Sequence, residues 1–277
     1  MGYAMGIFFT LLGACILFLA IPYSGVKSEF KEITADLIES SQANKARFTE
    51  DDIADLPAPV QRYFRYTRYI GQNKFSYAKA SYTDVNFSLG RDKPSIIMDY
   101  THFNFSTKPA RVALIDSSLY KIPFQGIDSY HHGKGSMKGV LAKLIPVFNE
   151  QGPSMDRSSL ATFLSECLLF PSMALEDYVV WESIDDLHAR ASMTYAGVSA
   201  SGMFTFNETG EMLSFTTLDR EAIGIDGTLG IVKWTAACDS YREIDGIMQP
   251  TNMQAIWNHD DGDFVYFNTD NITIERY

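Results

Sequence analysis

The spacing of apolar residues changes character several times along the chain. From Tyr3 to Tyr23 the run "YAMGIFFTLLGACILFLAIPY" carries no charged side chain. It is long enough to cross a hydrocarbon core of about 30 Å, which takes about 20 residues. Such a run leaves no solvent-facing side, which fits a membrane-spanning helix better than a helix of a soluble core. Phe30, Ile33, Leu37 and Ile38 then recur at helical spacing in "SEFKEITADLIESSQ". They predict a short amphipathic stalk helix, followed by a linker, "SSQANKAR". The chain divides accordingly into an anchor over 1–26, a stalk and linker over 27–48, and a globular part over 49–277.

The globular part opens with helical signals. Thr49 with Asp52 three residues on forms a capping-box pattern. Pro57 and Pro59 break the chain, with Pro59 in the first turn of the next helix. In that helix Val60, Phe64 and Thr67 predict the inward stripe. Arg62, Arg65 and Arg68 fall on an outer side, among Tyr63, Tyr66 and Tyr69, on whose rings they can stack.

From Phe75 the period becomes two: Val85, Phe87 and Leu89 alternate with Asn86 and Ser88, and Phe103 and Phe105 with His102 and Asn104. One clear helix interrupts the strands, "MDRSSLATFLSECLLFP", with Asp156 as its expected N-cap and Pro171 as its end. Leu160, Phe163, Leu164, Cys167 and Leu168 form its apolar face. A run of strands follows, punctuated by Ala196-Gly197, Thr209-Gly210, Asp245-Gly246 and Asp261-Gly262. Short connections require antiparallel neighbours, so this half predicts a meander of six or seven strands. A sheet that long must twist and curl. The fold class is therefore α+β: a curved antiparallel sheet, a half-barrel meander, wrapped on a central helix and preceded by a transmembrane helix.

Charge narrows the partners. The formal net charge is −11, and every charged residue lies at or after Lys27. An acidic domain is unsuited to a phosphate backbone, which excludes nucleic acid as a partner, and to broad electrostatic docking on anionic lipid. The membrane is met through residues 3–23. Lys27 and Lys31 follow the span and point by the positive-inside rule to a cytoplasmic domain; the bias is only two residues, and the bacterial-envelope reading makes an extracytoplasmic domain on a single-pass anchor the expectation, with the cytoplasmic orientation left open. "LGAC" at Leu12–Cys15 admits a lipidated Cys15, and a cleaved signal is a further alternative. The other cysteines, Cys167 and Cys238, could bridge in an oxidising compartment, but no CxxC occurs.

Catalytic motifs are missing: there is no GxSxG elbow, HExxH helix, kinase set or phosphate loop. His131 and His132 are adjacent, and neighbouring residues on a strand point to opposite faces, so no metal or cofactor is implied. Glu166 is the carboxylate of most interest. It sits on the central helix, where it could pair with Arg190 or Arg220, meet a polar ligand head, or act as an acid/base with a second carboxylate such as Asp185 or Asp219.

The segments "LPAPVQRYFRYTRYIGQ", "SLATFLSECLLFPSMAL", "WESIDDLHARASMTYAG" and "GDFVYF" resemble, in that order, an uncharacterised bacterial family with LPxPVxRYxR, YLxE..WFP, W..IDD..ARA and GDF.Y motifs. The resemblance spans Ile53 to Tyr277. It implies an N-terminal transmembrane segment and a Glu at the position of Glu166, but no established activity. The family's WFP reads Leu169-Phe170-Pro171 here. A looser likeness in element order is to the lipoprotein-carrier half-barrel, whose mouth holds acyl chains. Together these imply an envelope protein that binds a lipid or other hydrophobic small molecule between sheet and helix. Phe163, Leu164, Cys167 and Phe170 would line that groove, with Glu166 as its polar handle. Arg62, Arg65 and Arg68 are the candidates for phosphate or surface contact. The alternatives are an envelope enzyme using Glu166, and a protein–protein interaction module presenting the Arg/Tyr helix.

Overall fold

The computed structural model describes residues 2–42, 44–88, 90–91, 93–223 and 229–277, apart from the side chains of residues 15, 222, 223 and 229. The expectations placed on Leu89 and on the Cys15 side chain therefore lie outside the described residues.

Helix α1 (Gly2–Ala20) is the apolar run, and it is apolar and long enough to cross a membrane. Helix α2 (Gly25–Ser40) follows, capped by the Ser24 hydroxyl, which accepts from the Lys27 amide. The capping box of Thr49 and Asp52 is present and opens the short α3 (Glu50–Ile53). Helix α4 (Ala58–Tyr66) has Pro59 in its first turn, where the missing amide costs nothing.

Six strands then run back and forth: β1 (Tyr77–Ser88), β2 (Ser95–Phe105), β3 (Ala110–Leu119), β4 (Ile122–His131), β5 (Lys134–Leu141) and β6 (Ile145–Gln151). Helix α5 (Pro153–Ser165) leads through a 3-10 turn at Met173–Leu175 to β7 (Val179–Ser183), β8 (His188–Tyr195), β9 (Val198–Phe206) and β10 (Met212–Thr217). Two small hairpins, β11 (Glu221–Ile223) with β12 (Leu229–Ile231), and β14 (Arg242–Ile244) with β15 (Ile247–Gln249), flank β13 (Lys233–Asp239). The chain ends in β16 (Asn252–His259), β17 (Gly262–Thr269) and β18 (Ile272–Arg276).

Among the described residues, fourteen strands form one antiparallel sheet, thirteen of them in the order β6-β5-β4-β3-β2-β1-β17-β16-β13-β10-β9-β8-β7 and β18 beside β1. β18 pairs the first half of β1, and β17 pairs its end. The changeover sits at a bulge between Tyr82 and Val85, where Asp84 has φ 54°. Further irregularities lie between Gly139 and Val140, Met212 and Ser214, and Ala255 and Ile256. Each bulge bends its strand and increases the twist. The cumulative curl brings the β4–β5 turn against the β8–β9 turn, so that a Cβ on Gly133 would lie 2.2 Å from that of Ala196. The sheet curves without closing, since β6 and β7 stay at its edges.

Three expectations need correction. Residues 25–40 are no free stalk: Val26 and Phe30 are buried against Val112 and Ile127 on the outer face of the sheet, with Ile33, Leu37 and Phe103 around them. Phe48, assigned to the linker, is a fully buried core residue. Asp156 does not cap α5, which begins earlier, at Pro153. Its buried carboxylate instead accepts from the Gly135 amide at 2.8 Å and from Lys134 Nζ at 2.9 Å, tying α5 to the start of β5.

Helix α5 lies on the concave side of the sheet and touches β4, β5 and β6 on one limb and β8, β9 and β10 on the other. Gly135 permits this approach, because a Cβ there would sit 2.4 Å from the Met155 carbonyl oxygen. Helix α4 adds to the same core: Val60, Phe64 and Thr67 are buried as expected, but so are Tyr63 and Tyr69. Tyr63 donates to the Leu168 carbonyl at 2.6 Å and packs edge-on to Phe206.

Candidate functional site

The inner face of the first limb carries polar residues that strand alternation places side by side. Register pairs Asn104 with Arg111, His102 with Ala113, Ala113 with Asp128, and Arg111 with Tyr130. Tyr100, His102 and Asn104 of β2, Arg111 of β3 and Asp128 of β4 thus share one patch of the concave surface. Glu166, the residue just beyond α5, comes down onto it.

Arg111 is the hub. Its Nε donates to Glu166 at 2.9 Å and its Nη1 to Asp128 at 2.8 Å, while Nη2 donates to the Tyr100 hydroxyl. Asn104 Nδ2 donates to the same Glu166 oxygen, Oε2, at 2.7 Å. With its amide nitrogen so engaged, Asn104 turns Oδ1 toward His102 Nδ1, 2.8 Å away. An amide oxygen only accepts, so His102 carries its proton on Nδ1. Its Nε2 then accepts from the Tyr82 hydroxyl at 3.1 Å. The Phe170 ring packs edge-on against the imidazole at 5.6 Å.

Burial and charge set the protonation states. Burial of Glu166 opposes its ionisation, but the Arg111 charge, His102 and the hydrogen bonds from Arg111 and Asn104 outweigh it and hold the carboxyl below its usual range. Burial pushes the His102 pKa down, against the pull of Glu166, so the ring is held neutral. The cluster carries one guanidinium against two carboxylates. Burial also pushes the Cys167 thiol up. Cys167 and Cys238 are both free, so the disulfide does not form.

The structure sorts the expected site residues clearly. Phe163, Leu164, Cys167 and Phe170 have no accessible surface and are packed on all sides, so they line no open groove. Glu166 alone of the five keeps some exposure, with 13% of its side chain accessible. Its partner is Arg111, neither Arg190 nor Arg220. Arg190 lies 3.8 Å from Glu182, and Arg220 stacks on Trp234 at 4.3 Å. The nearest second acid in the network is Asp128, reached through Arg111; Asp185 accepts from Leu187 N and contacts His188, and Asp219 accepts from Ser201 N. The Arg helix is engaged with acid and carbonyl partners: Arg65 pairs with Glu50, Arg68 with Glu243, and Arg62 donates to the Asp186 carbonyl.

The sequence pattern of a family of unknown function, DUF6544, matches residues 46–269. The chain belongs to the DUF6544 family. Comparison with curated proteins returned no match. Among solved structures, a LolA superfamily protein from Nitrosomonas europaea is similar at 11% identity and a TM-score of 0.41, covering 79% of the DUF6544 chain and 93% of its own. A DUF1329 family protein from Desulfovibrio piger is similar at 14% identity and a TM-score of 0.37, with the same coverage.

Proposed function

We propose that this DUF6544 protein is held at a membrane by α1 and binds an apolar ligand on the uncovered part of its concave sheet surface, beside α5 rather than beneath it. The Glu166–Arg111–Asp128 cluster would meet the ligand's polar end. The supporting observation is a set of side chains that belong to the core cluster yet keep accessible surface. Phe87, Met137, Phe148, Tyr266 and Phe267 are only partly buried, and so is Tyr100. Asp128, which faces the same way as the buried Ala113 and Tyr130, has 21% of its side chain accessible. A filled trough would bury these groups as it buries Phe163 and Phe170. Phe163, Leu164, Cys167 and Phe170 then form the wall behind the ligand, and Glu166 is the only one of the expected residues within reach of it.

The excess negative charge of the cluster favours a ligand head that offers hydrogen-bond donors or a cation over an anionic one. A role for Glu166 as general acid or base has less support, because a carboxyl held below its usual range is mismatched to proton transfer near neutral pH.

Native mass spectrometry of the detergent-extracted full chain tests this reading. Co-purified lipid-sized adducts are expected, and they should be lost in Met137→Glu and Phe148→Glu, which put charge on the uncovered surface. Bare protein after gentle extraction in several detergents would sink the proposal.

A further inference from the structure

The carboxyl end of α1 does not leave the folded body behind. Lys143, in the β5–β6 turn, donates from Nζ to the carbonyl oxygens of Phe18 at 3.1 Å and Leu19 at 2.8 Å, and also to that of Ile21. Its ammonium stands 5.6 Å from the centre of the Phe18 ring. A cation on the last carbonyls of a helix satisfies acceptors that have no partner within the helix. Residues 19–22 at the helix end share a shallow cleft with Ser117, Ser118 and Pro123 of the adjoining hairpin and with Lys143.

Around this junction the hairpin tips expose large apolar side chains. Tyr120 is 91% accessible and Leu144 71%; Ile122, Ile145 and Val147 are exposed beside them. The turn residues are unusual as well. Tyr120 and Lys121 have φ 51° and 67°, and Ala142 and Lys143 have φ 52° and 65°. Left-handed turn positions favour Gly, Asn or Asp. Elsewhere in this sheet the second turn position is indeed glycine, as at His132-Gly133 and Ala196-Gly197. At the two tips nearest α1 that position is lysine in both. Backbone ease has been given up there for a cationic side chain flanked by exposed apolar ones.

We infer that the β3–β4 and β5–β6 tips form a membrane-docking edge, with Tyr120, Ile122, Leu144, Ile145 and Val147 in the bilayer interface beside the anchor and Lys121 and Lys143 at headgroup level. The occupant is the lipid surface into which α1 itself passes. Nineteen helical residues span about 28 Å, so the end of α1 lies near the boundary of the hydrocarbon region. The β5–β6 tip bonded to that end, and the β3–β4 tip joined to it where the Ala142 amide donates to the Pro123 carbonyl at 2.7 Å, lie at the same depth. Interfacial segments of this kind bury apolar groups by about 5–10 Å while lysines reach the headgroups. The edge seats the domain through apolar contact, which suits a chain whose net charge of −11 gives it no broad basic face. This inference goes beyond the ligand reading and does not rest on it.

The full chain reconstituted in phosphatidylcholine–phosphatidylglycerol vesicles tests it. Single cysteines are introduced as Tyr120→Cys, Ile145→Cys and, as a distant exposed control on β7, Val180→Cys. Each is labelled with a polarity-sensitive fluorophore, with the unsubstituted chain as the blank. Blue-shifted emission and quenching by shallow nitroxide-bearing lipid are expected to be several-fold stronger at 120 and 145 than at 180. Equal quenching at all three positions in protein that stays in carbonate-washed vesicles would overturn the inference. So would release of the chain by that wash. Lipid adducts in native mass spectrometry are read separately, so loss of one result leaves the other standing.

Discussion

The Arg111 guanidinium reaches Glu166 at 2.9 Å, joining the third strand of one limb to the residue just beyond α5. The same guanidinium holds Asp128 at 2.8 Å. Removing a single partner of a buried pair leaves an uncompensated charge, which costs about 3–5 kcal/mol. Arg111→Met strands two carboxylates and is expected at the upper end of that range. Glu166→Gln leaves Arg111 with Asp128 and should cost clearly less. Urea denaturation of the detergent-solubilised chain would rank the two. Equal or reversed costs would show that Arg111 is not the hub.

The same cluster predicts a pH dependence. His102 has a folded pKa below its ordinary 6.5, because burial disfavours the imidazolium. The unfolded state then binds more protons between the folded pKa and 6.5, so stability falls as pH drops below 6.5. Glu166 has a folded pKa below 4.5, and the stability it contributes is fully present above 4.5 and lost as pH falls through the folded value. Two successive losses are therefore expected on acidification. In His102→Gln the first should shrink to the part that His131 contributes, whose pKa burial also lowers, and the second should remain. Thermal midpoints recorded across this pH range would reveal both steps, and an unchanged first step in the variant would refute the assignment to His102.

The sequence made the period-two texture, the tight glycine turns and the central helix legible, because each is encoded by residues close in the chain. Arg111 as the partner of Glu166 was not legible. The strands β2, β3 and β4 are covered on both faces, by α2 outside and by α5 and the segment that follows it, Glu166 to Phe170, inside. Alternation then no longer separates core from solvent. Phe103 reads like a core residue but faces α2, packing on Phe30 at 6.1 Å, while His102 and Asn104 read as solvent-facing and are buried. A signal was present: Arg111 heads the otherwise apolar "ARVALI", and a cation in such a strand needs a carboxylate opposite it. Which carboxylate depends on strand register across 55 residues, and no local pattern carries that.

Gly135 is predicted to control the seating of α5. A Cβ there would meet the Met155 carbonyl at 2.4 Å and Ser159 Oγ at 2.5 Å, and the carbonyl cannot swing away without breaking the helix. Overpacking of this kind costs about 1–3 kcal/mol, and about 2–4 °C of melting temperature accompanies each kcal/mol in a domain of this size. Gly135→Ala should lower the midpoint accordingly. Gly25→Ala meets nothing within 4 Å and serves as the control. A Gly135→Ala chain that melts like the parent would mean that α5 sits farther from β5.

Helix α4 has two faces with opposite expected sensitivities. Phe64 is fully buried among Phe48, Tyr63 and Tyr69. Phe64→Ala deletes a buried ring, at a cost of about 3–5 kcal/mol. Arg65 and Arg68 make exposed ion pairs with Glu50 and Glu243, which solvent and salt screen. Arg62 is bound to the Asp186 carbonyl and has its Nε enclosed without a partner, so its replacement removes one hydrogen bond together with one unsatisfied buried donor, two effects of opposite sign. Changing Arg62, Arg65 and Arg68 together to Gln should leave the melting midpoint close to that of the parent. If these arginines hold lipid phosphate, the triple variant should fold normally yet dissociate more readily than the parent from phosphatidylglycerol vesicles under carbonate washing. If the three charges only offset the acidic residues around them, membrane retention should match the parent at every lipid composition.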